Sequence, residues 1–218
     1  MKKTLARLLL ATVLVGALSL VAPLRADARS DIDVSKLVPT LSASFAPWDC
    51  RHNHSGIVCS GERHQRLAPE EVDFGCVAPV WDTFSEDRHQ TRYYNHDNLN
   101  YFRRFRTLNI DSFAETPSGP IRGVISSRVR FVETFDILGD DQTITVTSAG
   151  VLYDFKPAGR HSAFRMVGTL IEPYNGEATF TGKVTDHGTV VHYRNAPFAQ
   201  VLPEETFLAL VCEITFGP

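Results

Sequence analysis

Glu133 and His192 are the residues of this chain whose types and positions best suit acid–base chemistry. Residues alternate between the two faces of a strand, so in the predicted strand Arg128–Phe135 the Glu133 side chain shares a face with Val129 and Phe131. A carboxyl group among apolar side chains has a raised pKa or needs a charged partner. If His192 faces the same interior from its own strand, the two groups could bind a polar ligand head or act as acid and base.

Arginines on neighbouring strands could supply the partner of Glu133. The candidates are Arg104, Arg106 and Arg165. Arg104 and Arg106 are also candidate binding residues, because basic and aromatic side chains that alternate, as in Tyr101–Arg106, can stack on bases or bind anions. An ordinary buried ion pair explains the same pattern, and an error of one residue in the face assignment would turn every side chain to the other side.

Three histidines near the first cysteines are candidate metal ligands. His52 and His54 form a His-x-His pair, which on a strand would point both rings to one face, and His64 follows nearby. Asn53 and Gly56 are turn residues, so a solvated loop explains this cluster better. We therefore expect no metal site and no other cofactor.

Four cysteines follow the N-terminal segment, at positions Cys50, Cys59, Cys76 and Cys212. An even number in an exported chain indicates disulfides, and four cysteines allow three pairings. A local Cys50–Cys59 bridge across a polar turn is geometrically easy and would leave Cys76 to pair with Cys212.

Residues 1–28 have the three parts of a secretory signal peptide. The segment begins with basic residues, continues with the apolar run 8–22, and ends with small residues at Ala26 and Ala28, after which we place cleavage. The alternative is an uncleaved membrane anchor, although the run is at the lower limit of spanning length. We expect a secreted or extracytoplasmic protein that does not insert stably in a membrane once the signal is removed.

Composition and charge exclude several classes of protein. With 43% hydrophobic and 10% aromatic residues, the chain is not of the intrinsically disordered type. Removal of residues 1–28 leaves 18 basic and 24 acidic residues, a net charge of −6. This balance argues against nucleic acid as a partner and leaves a small-molecule ligand as the expected one.

The rest of the chain reads as strands joined by turns. Segments rich in Val, Ile, Phe, Tyr and Thr alternate with turn residues such as Gly139-Asp140-Asp141 and Asp186-His187-Gly188. The pattern predicts an extended arm over 29–47 and one disulfide-bonded all-β domain over 48–218. We expect nine or ten strands in an antiparallel up-and-down meander that forms a closed or nearly closed barrel, with a two-sheet sandwich as the alternative. A short C-terminal helix is predicted after Pro203.

The cysteine pattern resembles that of small exported bacterial β-rich proteins of unknown function. The resemblance rests on Trp48-x-Cys50, Cys59-x-Gly61, Phe74-x-Cys76 and the late Cys212, with a T-x-T-x-T-x-x-G segment from Thr143 to Gly150. It implies an exported compartment and a β-meander. It implies no catalytic residue.

These patterns favour a non-enzymatic exported domain that binds a small molecule or another surface component. A hydrolase or isomerase that uses Glu133 and His192 is the second hypothesis, and a structural or interaction module of the cell envelope is the third. A ligand-binding domain predicts an interior cavity of about 300–1,000 Å³. An interaction module predicts a filled interior and an exposed apolar patch.

Overall fold

Ten antiparallel strands form one sheet in the computed structural model, which describes residues 32–217. The strands are β1 (Asp49–Asn53), β2 (Gly56–Arg66), β3 (Glu70–Val72), β4 (Val80–Tyr94), β5 (Asn100–Ala114), β6 (Gly123–Phe135), β7 (Ile144–Pro157), β8 (Phe164–Glu172), β9 (Thr179–Asp186) and β10 (Thr189–Pro197). Each strand pairs with the next in chain order, except that β3 pairs with β4 beside the β2–β4 pair. The predicted antiparallel meander is confirmed.

The sheet is open. β1 and β10 lie at the two ends of the strand order and do not pair with each other, so the closed form of the predicted barrel is not observed. None of the helices within residues 32–217 has the length and apolar character needed to span a bilayer. The predicted signal peptide, residues 1–28, lies outside the described residues.

Local turn chemistry sets the strand connections. Between β4 and β5, the Asn95 Oδ1 atom accepts hydrogen bonds from the backbone N–H groups of Asp97 and Leu99. Between β9 and β10, His187 and Gly188 both have positive φ, at 45° and 85°, as the preferred two-residue hairpin turns require. Short connections of this kind hold successive strands in the antiparallel order.

One face of the sheet, called here the inner face, carries most of the buried side chains. It is marked by cross-strand neighbours such as Arg88 on β4, Thr107 on β5 and Val129 on β6, which lie opposite one another. The alternate residues, such as Arg104 and Arg106, form the outer face and are exposed.

An apolar core fills one end of the inner face. Its fully buried members include Val80, Phe113, Phe155, Met166, Phe180 and Val211. Two helices cover it, α1 (Phe198–Val201) and α2 (Glu204–Phe216). The second begins directly after Pro203, as predicted.

Helix α2 lies close to the sheet because of a glycine and a disulfide. A Cβ atom on Gly123 of β6 would lie 2.6 Å from the carbonyl oxygen of Ile214, so a side chain there would push the helix away. Cys76 bonds to Cys212 within α2, which ties the chain before β4 to the helix. Cys50 bonds to Cys59 between β1 and β2, the other half of the pairing that the spacing favours.

The described part of the N-terminal arm, residues 32–47, covers the opposite end of the inner face. It contains two short 3₁₀ turns, Val34–Lys36 and Ala43–Phe45. Arg92 donates to the carbonyl oxygen of Thr40 at 3.0 Å, and the Tyr94 hydroxyl donates to that of Pro39 at 3.1 Å. The middle of the inner face therefore lies between the arm and the apolar core.

Candidate functional site

A cavity of about 90 Å³ lies at the middle of the inner face. Five consecutive strands contribute to its wall, which consists of Arg88, Thr107, Asn109, Ser127, Val129, Phe131, Glu133, Val146, Ser148, Leu152, Tyr153, Leu170 and Glu172. It is smaller than the cavity predicted from the sequence, because aromatic and arginine side chains fill much of the space around it. It exceeds the roughly 10–15 Å³ that one water molecule needs, so it has room for a small molecule.

Strand register and one irregularity bring these residues together. Arg88 lies opposite Thr107, and Asn109 lies opposite Ser127, so polar side chains of β4, β5 and β6 are neighbours. The pairing of β7 with β8 shifts by one residue between Val151 and Tyr153. Because of this bulge, the consecutive residues Leu152 and Tyr153 are both buried and both line the cavity, which strict alternation does not allow.

Two arginines share one buried glutamate beside the cavity. The Glu86 side chain is 2% exposed; its Oε1 accepts from the Arg63 Nε at 2.7 Å, and its Oε2 lies 2.5 Å from the Arg88 Nη2. Arg63 stacks on Phe45, and Arg88 lies 5.5 Å from the ring centre of Phe131. Arg63, Glu86 and Arg88, called here the Glu86 triad, carry a formal net charge of +1.

A second charged network surrounds Arg103. Its guanidinium group lies 3.1 Å from Glu133 Oε2, donates to Asp141 Oδ1 at 2.5 Å, and donates to Asn100 Oδ1 at 2.8 Å. Burial raises the pKa of Glu133, while Arg103 opposes that rise. The central carbon of the guanidinium group lies 4.9 Å from the ring centre of Phe135.

Arg103 therefore occupies the place that the sequence assigns to Arg104, Arg106 or Arg165. Arg104 and Arg106 lie on the outer face of β5, while Arg103 shares the inner face with Phe105. Glu133 lies directly opposite Arg103 across the β5–β6 pair. The predicted interior carboxyl group is present, but its partner is one residue away from the nearest predicted arginine.

Several buried polar atoms at this site lack a hydrogen-bond partner within residues 32–217. They include Arg88 Nε, Gln90 Oε1, Thr107 Oγ1 and Asn109 Oδ1. Thr107 is only 4% exposed, and it borders the cavity together with Arg88 and Asn109. Each unpaired buried group costs about 1–3 kcal/mol, so several of them at one cavity mark it as a place for a polar ligand group.

The far side of the cavity carries carboxyl groups that are harder to ionise. Burial raises the pKa of Glu172, and burial followed by the charge of Glu172 raises the pKa of Tyr153. Toward the apolar core, burial raises the pKa of Asp82 to about 6 and that of Asp111 to about 7, the latter with a contribution from Asp82. The carboxyl groups of Glu172, Asp82 and Asp111 therefore keep their protons to a higher pH than exposed carboxyl groups do.

Glu133 and His192 do not come together in the structure. Glu133 lines the cavity, whereas His192 is exposed on β10, opposite Lys183 of β9. The acid–base pair predicted from the sequence is thus divided between the interior and the surface.

The three histidines considered as metal ligands lie at the surface. His52 lies on β1, and His54 lies in the turn after it. His64 lies on β2, and its Nδ1 is 2.7 Å from Asp87 Oδ1, a hydrogen bond that raises the pKa of His64. Within residues 32–217, no group of three or more His, Cys, Asp or Glu side chains is arranged to hold a metal ion.

The charged run 82–89, with Glu86 and Arg88, reads in the sequence as a hairpin tip, but it lies within the continuous strand β4. Thr107 and Asn109 are not identified by the sequence. Charged or polar residues alternate on both faces of β4, so no apolar face identifies the interior side of that strand. Strand pairing could have identified them. Glu133 of β6 faces inward, and the residues paired across β6–β5 and β5–β4 share that inner face.

Comparison of the chain with family models, with curated proteins and with solved structures found no match. The resemblance to small exported bacterial β-rich proteins stays a prediction.

Proposed function

We propose that this protein is an exported binding protein that holds a small amphipathic molecule in the cavity of its inner face. The proposal rests on the cavity having one polar and one apolar wall. The polar wall has unpartnered atoms of Arg88, Thr107 and Asn109. The apolar wall includes Leu152 and Leu170. A pocket that is mostly apolar with a few convergent polar groups is the usual form of a small-molecule site.

The position of the titratable groups favours binding over catalysis. Glu133 is held by Arg103 at 3.1 Å, and His192 is exposed on another strand.

The contribution of five consecutive strands to one cavity wall supports a nearly closed barrel. Arg88 of β4 and Glu172 of β8 line the same small cavity, although four strand spacings of about 4.8 Å would separate their strands in a flat sheet. We propose that the sheet curves around its inner face to this extent. Export is supported by the two disulfides, which form and persist in oxidising compartments.

An NMR titration tests the proposal. Chain 29–218, with its disulfides formed and its Val and Leu methyl groups labelled, is titrated with a library of fragments of about ten non-hydrogen atoms or fewer. We expect at least one fragment to give saturable shifts at the methyl groups of Val129, Leu152 and Leu170.

A matched pair of variants locates the binding. Val146→Phe fills the cavity and should abolish those shifts, whereas Val167→Phe, at a position that does not line the cavity, should preserve them. Shifts that stay unchanged in Val146→Phe, or a library in which no fragment reaches the three methyl groups, would refute the proposal.

A further inference from the structure

We infer that the ligand of this cavity is a small anion with a short apolar tail, its anionic head bound beside Arg88, Thr107 and Asn109. The inference rests on the proposed function and adds to it the charge and orientation of the ligand.

The distribution of charge around the cavity is the first support. At the arm end, Arg92 and Arg103 face the carboxylates of Glu133 and Asp141, and the four formal charges cancel. In the Glu86 triad, by contrast, two guanidinium groups share one carboxylate and a formal charge of +1 is left. The Arg63 and Arg88 side chains are only 16% and 20% exposed, so this partly desolvated positive charge would stabilise an anion at this point.

The geometry around Arg88 is the second support. One edge of its guanidinium group binds Glu86, and its central carbon lies 5.9 and 5.5 Å from the ring centres of Phe105 and Phe131, which stack on each other at 4.1 Å. These contacts hold the group in place while the Nε–H remains without an acceptor. The side chain is thus preorganised to donate a charge-assisted hydrogen bond, which is stronger than one between neutral groups.

Two neutral side chains lie next to Arg88 at the place proposed for the anionic head of the ligand. Thr107 lies opposite Arg88 in the sheet, and its buried hydroxyl group has no partner within the described residues. Asn109 is the next inner-face residue of β5; its unpartnered atom is the amide oxygen, and a flip of the terminal amide would present the NH₂ group instead. A carboxylate at this point would accept from Arg88, Thr107 and the NH₂ group of Asn109.

The far wall suits the tail of the ligand rather than a second charge. Val129, Leu152 and Leu170 line it with apolar atoms. Burial raises the pKa of Glu172, so this carboxyl group takes its neutral form more readily and opposes a bound anion less than a surface carboxylate would. Glu133 also attracts Arg88, but its direct ion pair, at 3.1 Å, is with Arg103.

Three probes with one branched skeleton test the charge of the ligand. Isobutyrate, isobutyramide and isobutylamine, the last in its ammonium form, are each titrated into chain 29–218 at neutral pH, with the methyl shifts of Val129 and Leu152 as the readout. We expect isobutyrate to bind at least about tenfold more tightly than the other two, because hydrogen bonds to a charged group are stronger than those between neutral groups.

Two variants test the position of the head. Arg88→Met keeps the Arg63–Glu86 pair and should weaken isobutyrate at least about tenfold. Asn109→Asp is isosteric and places a carboxylate beside Arg88, so it should weaken isobutyrate similarly. Asn175→Asp, in the exposed loop between β8 and β9, makes the same change of net charge and should leave the affinity unaltered. Urea unfolding of each variant verifies that it is folded.

The outcomes separate this inference from the proposed function. Preferred binding of isobutyrate that is lost in Asn109→Asp and kept in Asn175→Asp supports the anionic ligand. Equal or tighter cavity binding of isobutyramide or isobutylammonium overturns the anionic ligand and leaves the binding function intact. Absence of cavity shifts with all three probes overturns the inference, and the fragment titration then decides the binding function separately.

Discussion

The inner face of the sheet carries an apolar core at one end and charged side chains around a cavity at its middle, and the two regions differ in how they affect stability. In the apolar core, Phe155 and Met166 are 0% exposed and belong to one cluster of apolar side chains, in which the rings of Phe164 and Phe207 pack edge-to-face on Phe155. At the middle, Glu86 and Thr107 are almost as deeply buried, yet one needs two arginines and the other has no partner.

This difference indicates which region holds the fold together. Burial of apolar surface is favourable by about 25 cal/mol per Å², whereas a buried ion pair often does no better than apolar side chains of the same volume. The chain nevertheless places charged residues at the centre of its sheet. We infer that the apolar core stabilises the fold and that the charged middle is retained for binding.

The largest expected effect comes from the disulfide that joins the apolar core to helix α2. Replacement of Cys76 and Cys212 by Ala opens a loop of 136 residues and should lower the free energy of unfolding by about 5 kcal/mol on chain-entropy grounds. The same change at Cys50 and Cys59, which are 9 residues apart, should cost about 3 kcal/mol. Urea unfolding checks both, and the reverse order of losses would contradict this assignment.

The next effect is a cavity in the apolar core. Phe155→Ala removes a fully buried ring and should lower the free energy of unfolding by about 4 kcal/mol. Val191→Ala, at an exposed position of β10, should change it by no more than about 0.5 kcal/mol. Similar losses for the two variants in urea unfolding would show that this core is not the stabilising region.

Removal of the shared carboxylate tests the charged middle. Glu86→Gln leaves the partly buried Arg63 and Arg88 without a counterion and should cost up to about 3 kcal/mol in unfolding free energy. Glu62→Gln, an exposed position on the same strand as Arg63, should cost at most about 0.5 kcal/mol. If urea unfolding gives the two variants the same midpoint, Glu86 is not the counterion described here.

A smaller effect is expected in the pH dependence of stability. In the folded state the pKa of Asp82 is about 6 and that of Asp111 is about 7, above the ordinary value of 3.8. Between pH 3.8 and pH 7 the folded state therefore binds more protons than the unfolded state. Their contribution is fully present below about pH 4 and is lost as the pH rises through about 7.

Asp111→Asn should therefore flatten the decline in urea midpoint between pH 4 and pH 7. The exposed Asp97→Asn serves as the control and should keep the slope of the parent protein. A slope that Asp111→Asn leaves unchanged would mean that Asp111 ionises as readily in the folded state as in the unfolded state.

The sheet could be predicted from the sequence because its signals are local. Alternation along β6 and the turn at Asp186-His187-Gly188 depend on neighbouring residues only, and both appear in the structure as expected. The C-terminal helix after Pro203 was recognisable for the same reason.

The cavity depends on relations that local patterns do not contain. The Arg103–Glu133 pair needs the register of β5 against β6, and a one-residue error points to Arg104. The joint burial of Leu152 and Tyr153 needs a bulge, which breaks the two-residue period. Whether β1 meets β10 depends on the accumulated curvature of the whole sheet, which no single strand specifies.

The most direct test of this account replaces the whole Glu86 triad by apolar residues. Arg63→Met, Glu86→Leu and Arg88→Met are combined in one protein, and its free energy of unfolding and its affinity for isobutyrate are measured. We predict that stability is unchanged or higher by about 1–4 kcal/mol, while isobutyrate binding is lost. A protein that still binds isobutyrate, or one that loses several kcal/mol of stability, would contradict the view that the charged middle serves binding rather than folding.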